Sequence, residues 1–171
     1  MSFFKFSLKQ SFNIPGVKKA FNAFLDPSLI IPQIRIDHIN QLNFVSLKEK
    51  GITCVIFDKD QTLSVTYVDQ LHPSCLDHIN QARQMFPNAV AILSNSVGSC
   101  DDDGYRGAME TEKHMNLPVI RHRLKKPSCL PEVLEHFQKT SGRIISPNEI
   151  CMVGDRVLTD IMFGNEYGML R

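Results

Sequence analysis

The run Ile52-Thr53-Cys54-Val55-Ile56-Phe57 leads without a break into Asp58-Lys59-Asp60-Gln61-Thr62. Six strand-favouring residues predict a buried strand, and the acidic pair then stands at its carboxyl end. In open α/β sheets that end of a strand is where ligands bind. Two carboxylates one residue apart repel each other there. A divalent cation relieves the repulsion and leaves one oxygen free to attack an electrophile. For the acidic pair taken alone, a strand that ends in a solvated turn is the plain alternative.

The remainder of the chain alternates between helical and strand patterns. Residues 37–50 read as a helix closed by Gly51, and 74–86 as a helix opened by the capping pair Ser74 and Asp77. A second apolar strand spans 89–94, a helix 104–115, a short strand 118–121 and a helix 128–140; a last strand at 150–153 precedes a helix after Asp155. Such alternation specifies an α/β fold with a parallel sheet. At 171 residues and 43% hydrophobic content, the chain suits one domain with a single core. About 30 residues separate Asp60 from the second strand, and about 30 separate Ser94 from Lys126, too few for a large folded cap over the site. An uncapped site is open to a bulky substrate presented from a membrane surface or a protein.

Composition narrows the function classes. The net charge of +1 creates no overall field favouring nucleic acid or membrane. Five cysteines, none in a CxxC pair, fit a reducing compartment, with Cys54 and Cys151 as small core residues. The six histidines have no metal-ligand spacing, and His114 and His122 read as surface or supporting groups. No apolar run approaches the ~20 residues that span a bilayer. Asp101-Asp102-Asp103 reads as a solvated loop.

Three further segments carry chemistry. The strand at 89–94 ends in Ser94-Asn95, which alone is ordinary turn chemistry. Lys125-Lys126-Pro127 precedes a helix, and two lysines alone are usually solvated. The last strand runs into Gly154-Asp155-Arg156-Val157-Leu158-Thr159-Asp160, a tight glycine turn with two aspartates five apart. In their order and strand context the four segments resemble the four motifs of haloacid dehalogenase (HAD) superfamily phosphatases. The resemblance implies a three-layer Rossmann-like fold with a mainly parallel sheet and no large cap. It implies Asp58 as the nucleophile, Asp60 as general acid and then general base, and Lys126 rather than Lys125 as the phosphate-neutralising lysine. Thr62 and Ser94 would contact phosphate through their hydroxyls, and Asn95 would position the nucleophile or the lysine. Lys59 and Arg156 would face the substrate phosphate or the membrane, or serve as surface charges. Mg²⁺ is the implied metal, bound by Asp58, Asp155 and the backbone carbonyl of Asp60, with Asp160 as a direct or supporting acid. A carboxylate-rich, cysteine-free set suits a hard cation and not zinc.

Within the superfamily, Asp26-Pro27-Ser28-Leu29, Pro118-Val119-Ile120-Arg121-His122, Lys125-Lys126-Pro127 and the 154–160 segment are similar to the mitochondrial phosphatidylglycerophosphate phosphatase family. The similarity runs from about Asp26 onward. It implies hydrolysis of phosphatidylglycerophosphate to phosphatidylglycerol in the cardiolipin pathway, by a peripheral protein on the matrix side of the mitochondrial inner membrane. That family often carries Asn-Cys where this chain has Gln61-Thr62. It also continues past the position of Gly168 into one more edge strand, which a sequence ending at Arg171 is expected to lack.

Residues 1–25 differ from the domain at 26–171. They carry Lys5, Lys9, Lys18 and Lys19, no acidic residue, and Phe3, Phe4, Phe6, Phe12, Phe21 and Phe24. Val17, Phe21, Phe24 and Leu25 share one helical face. The segment reads as a contact with an anionic membrane surface, a targeting sequence or a helix packed on the domain. Two other functions fit parts of the pattern. A HAD phosphatase of a soluble phosphomonoester needs the same four motifs. A receiver-like signalling domain uses Asp, Ser/Thr, Lys and Mg²⁺, but its acidic pair and its phosphorylated Asp lie on different strands; here both acids share one DxDxT. A catalytically silent scaffold is disfavoured because no motif residue is missing. The sequence carries no signal for the oligomeric state.

Overall fold

Cys54–Phe57, strand β1, has no polar side chain and all four residues are buried, so it takes the interior position of the sheet. The structure, a computed structural model, describes residues 25–171. Strand β2 (Val90–Ile92) and strand β3 (Ile150–Val153) flank β1, both parallel to it, in the order β2-β1-β3. Val55 lies opposite Val90 on one side and Cys151 on the other. The sheet is therefore open and all-parallel, and the carboxyl ends of its three strands form one edge.

Five α-helices stand among the described residues: α1 (Phe44–Glu49), α2 (Leu76–Met85), α3 (Arg106–Met115), α4 (Leu130–Ser141) and α5 (Met162–Tyr167). Their buried positions, among them Leu47, Ile79, Ala108, Phe137 and Phe163, join the strand residues in one core. Each such leucine, isoleucine or phenylalanine side chain contributes about 1.5–3 kcal/mol on burial. Between β1 and β2 the chain forms a loop, a 3-10 turn (Pro73–Cys75) and α2; between β2 and Lys126 it forms a 3-10 turn (Asp103–Tyr105) and α3. The membrane-contact or targeting segment expected at 1–25 lies outside the described residues, apart from Leu25.

Three expectations change in detail. The helix expected over 37–50 is two pieces, a 3-10 turn (Ile39–Gln41) and α1. Asn43 separates them because its side chain accepts from Ser46 N and so starts a new helix. The strand expected at 118–121 is reduced to one parallel rung between Val119 and Ile92. Side chains take over its hydrogen-bonding groups: Val119 N donates to Glu112 Oε1 at 2.8 Å, and the Arg121 guanidinium donates to Val119 O. At the other edge, where no further strand was expected, Leu170 forms a parallel rung with Cys151. Leu170 N donates to Ile150 O and Met152 N to Leu170 O.

Candidate active site

The site is built on the carboxyl edge of the sheet. Asp58 N donates to Val153 O at 2.8 Å, so the first motif is tied to β3 as the chain leaves β1. Lys126 is 1% exposed and reaches down between the strand ends. Its Nζ donates to Asp58 Oδ1 at 2.6 Å and to Leu93 O at 2.7 Å, and it forms an ion pair with Asp160 Oδ1 at 2.5 Å. Asn95 fixes the lysine's backbone, accepting from Lys126 N at 2.7 Å. Lys125 instead lies near the surface and pairs with Asp101.

Asp160 is fully buried and is held by Arg156 N, which donates to its Oδ2 at 3.1 Å. It reaches this position only because residue 154 is glycine. A Cβ there would lie 2.3 Å from Asp160 Oδ2, far inside contact distance. Asp58, Asp155 and Asp160 each offer an oxygen within 4.8 Å of the others. With all groups ionised, three carboxylates against the one ammonium leave two uncompensated negative charges. A divalent cation matches that charge, and an all-oxygen donor set suits a hard one. The residues present therefore fit Mg²⁺.

The electrostatics follow from this crowding. Burial raises the Asp58 carboxyl; the Lys126 ammonium draws it down, but that lysine is shared with Asp160, whose own charge pushes Asp58 up again, and the net direction is up. Burial works against the Lys126 ammonium, yet the Asp160 and Asp58 charges outweigh it and its pKa is raised. Asp155 is raised by burial and then by the Asp58 charge.

Asp60 turns away from the three-carboxylate group. Its Oδ1 accepts from Tyr67 N at 3.2 Å and from Lys59 Nζ at 3.3 Å, and its Oδ2 from Ser96 Oγ at 3.4 Å. Lys59 is buried and pairs with both Asp60 and Asp69, so it is not a surface charge. Arg156 is exposed at the rim. Ser94 is buried with its Oγ 2.9 Å from Ser96 Oγ. The Thr62 hydroxyl is buried without a hydrogen-bond partner among the described residues. It lines a cavity of about 150 Å³ together with Asp155 and Gly154.

Four contributors were not singled out from the sequence: Asp69, Ser96, Leu93 through its carbonyl, and His122 as a clamp. The His122 ring is buried with Nε2 2.8 Å from Ser94 O and Nδ1 2.6 Å from Leu124 O, so it ties the Ser94 and Lys126 loops together. Its place in the Pro-Val-Ile-Arg-His segment was the available signal. The acidic loop at 101–103 is also more than solvated. Asp102 accepts from Gly98 N, Gly107 N and Ala108 N, which closes the loop and opens α3.

The chain matches the model of a family described as mitochondrial PGP phosphatase over residues 14–171. It is similar to phosphatidylglycerophosphate phosphatase 1, chloroplastic/mitochondrial, of Arabidopsis thaliana, with 34% identity over 171 residues, 97% of this chain and 47% of that protein. A mitochondrial phosphatidylglycerophosphatase of Saccharomyces cerevisiae is 34% identical over 157 residues, 91% of this chain and 83% of that protein. A probable mitochondrial phosphatidylglycerophosphatase of Schizosaccharomyces pombe is 29% identical over 168 residues, 91% of this chain and 79% of that protein. The chain thus spans about half the length of the Arabidopsis relative and most of each yeast one. No solved structure matches it.

Proposed function

The chain belongs to the mitochondrial PGP phosphatase family, and from that premise we propose that it hydrolyses phosphatidylglycerophosphate to phosphatidylglycerol and phosphate. The observation that carries the proposal is the buried Lys126 ammonium between Asp58 and Asp160, with Asp155 beside them. The residues proposed as nucleophile, phosphate-neutralising cation and cation-binding acids meet there at one strand edge. We assign the HAD-type roles on the motif resemblance, and this geometry supports them.

A carboxylate oxygen of Asp58 attacks phosphorus in line with the ester oxygen. The P–O bond to the glycerol oxygen breaks, and Asp60 protonates the departing alkoxide. An aspartyl-phosphate on Asp58 remains. Asp60, now ionised, takes a proton from the water that attacks the phosphorus, and phosphate leaves with Asp58 restored. Tyr67 N, Lys59 and Ser96 hold the Asp60 carboxyl group in place. Lys126 offsets phosphate charge, Asn95 and His122 keep its loop seated, and the buried Ser94 and Thr62 hydroxyls would contact the phosphoryl oxygens. Asp58, Asp155 and Asp160, with the Asp60 backbone carbonyl, would hold Mg²⁺, which when bound neutralises charge on the transferring phosphate.

We place this chemistry on the matrix side of the mitochondrial inner membrane, by a peripheral protein. No helix among the described residues is long and apolar enough to cross a membrane. The test is phosphate release from phosphatidylglycerophosphate and from a panel of soluble phosphomonoesters, with Mg²⁺ and with EDTA. The lipid should be preferred and EDTA should abolish turnover. Preference for a soluble ester overturns the substrate and leaves the phosphatase chemistry standing.

A further inference from the structure

The loops that leave the carboxyl edge of the sheet end in exposed apolar side chains. Tyr67 is 86% exposed, although its backbone N–H is bonded to Asp60. It stands at φ 64°, a region a bulky residue rarely enters without cause. Val65, on the same loop, is also exposed. Leu124 is exposed two residues before Lys126, and Leu158 is exposed between Asp155 and Asp160. Single exposed aliphatics are unremarkable on a protein surface. These differ because three separate loops carry them to the one edge through which a substrate reaches Asp58.

Charge points the same way. On this edge Lys59, Lys125, Lys126 and Arg106 are each paired with an aspartate. Arg123 and Arg156 are exposed and have no ion pair among the described residues. Asp101 and Asp103 are taken by Lys125 and Arg106, Glu132 accepts from Arg123 N, and Arg156 lies close enough to Asp58 and Asp155 for its charge to act on both carboxyls. Apolar tips flanked by two exposed guanidinium groups match the interface of an anionic bilayer, where the apolar groups enter the headgroup layer and the arginines meet phosphate.

We propose that this rim, with Tyr67, Leu124, Leu158, Arg123 and Arg156, docks the active-site face on an anionic phospholipid bilayer. The proposal rests on the phospholipid substrate proposed above. It adds a surface separate from residues 1–25 and fixes the orientation: the mouth faces the lipid, and a lipid phosphate reaches Asp58 without leaving the membrane.

The chain contains no tryptophan, so a single introduced one reports its own surroundings. Full-length Tyr67→Trp, Leu158→Trp and Ile144→Trp are mixed with phosphatidylcholine vesicles, with or without phosphatidylglycerol. Ile144, 82% exposed, lies on the loop that enters β3, at the opposite end of the sheet. Emission from Tyr67→Trp and Leu158→Trp should shift to the blue with anionic vesicles and be quenched by doxyl-labelled lipid, while Ile144→Trp stays unchanged. Vesicle binding with no change at either rim tryptophan overturns the proposal, as does absence of vesicle binding or a shift at Ile144→Trp alone. The triple variant Tyr67→Asn, Leu124→Ser, Leu158→Ser should lose vesicle affinity by roughly tenfold or more. Its melting temperature should stay close to the parent's, which shows that it is folded. The tryptophan signal needs no turnover, so it decides docking independently. Detergent-dispersed phosphatidylglycerophosphate decides the substrate: hydrolysis there without docking overturns the rim alone, and turnover of soluble esters only overturns the substrate alone.

Discussion

Asp58 and Asp155 carry charges that the fold works against, because burial and a neighbouring carboxylate both raise their pKa. A carboxyl raised on folding costs stability above its unfolded pKa. That cost is relieved as pH falls through the folded pKa, or when a cation binds. Asp155→Asn removes the charge while keeping the shape. Its melting temperature in EDTA should therefore exceed the parent's, and Mg²⁺ should raise it less than it raises the parent's. An undiminished Mg²⁺ increment in the variant takes Asp155 out of the cation group. Asp58→Asn should fold normally and release no phosphate, since an amide is not a competent nucleophile. Turnover within about tenfold of the parent, ~1.4 kcal/mol of barrier, removes Asp58 from that role. That Asp58 and Asp155 come together was legible in the sequence, because each follows an apolar strand and the carboxyl ends of parallel strands share one edge. The Lys59–Asp69 pair was not, because it depends on how the loop after Gln61 folds back.

At the level of elements, the strands were easier to read than the helix starts. A run of apolar residues marks a buried strand wherever it falls, whereas a helix start depends on which side chain takes the first N–H groups. Ser74 illustrates this: expected as a cap, it bonds His72 and His38 instead, and α2 begins at Leu76. Asp102 is the converse, an acid read as solvated that in fact accepts three backbone N–H groups around the start of α3. Removing a cap of this kind costs about 0.5–2 kcal/mol. Asp102→Ala should accordingly unfold at lower urea by that amount, with the slope of the transition unchanged. A variant as stable as the parent reduces the three bonds to incidental contacts.

Across the whole molecule, alternation of strands and helices predicted a parallel sheet but not its order. The order β2-β1-β3 is decided by pairings about 35 and 95 residues apart, which no local pattern encodes. The cysteines are a feature of the whole chain that composition did foretell. All five are thiols, and Cys54, Cys75, Cys129 and Cys151 are buried, leaving Cys100 as the exposed one. Burial alone pushes the Cys151 thiol up to about 12, and burial also raises Cys54 and Cys75, so these three are poor nucleophiles as well as inaccessible. Cys100 lies next to the aspartate that pairs with Lys125, outside the catalytic group. Titration of the native protein with a thiol-reactive disulfide dye should give one fast equivalent, and denaturation should release the remaining four. Modification of Cys100 should leave phosphate release within a small factor of the untreated rate, because no proposed catalytic group depends on it. More than one fast equivalent, with the protein still folded, means that the core around β1 and β3 opens on the labelling timescale, and the close packing that seats Asp160 against Gly154 is then not maintained.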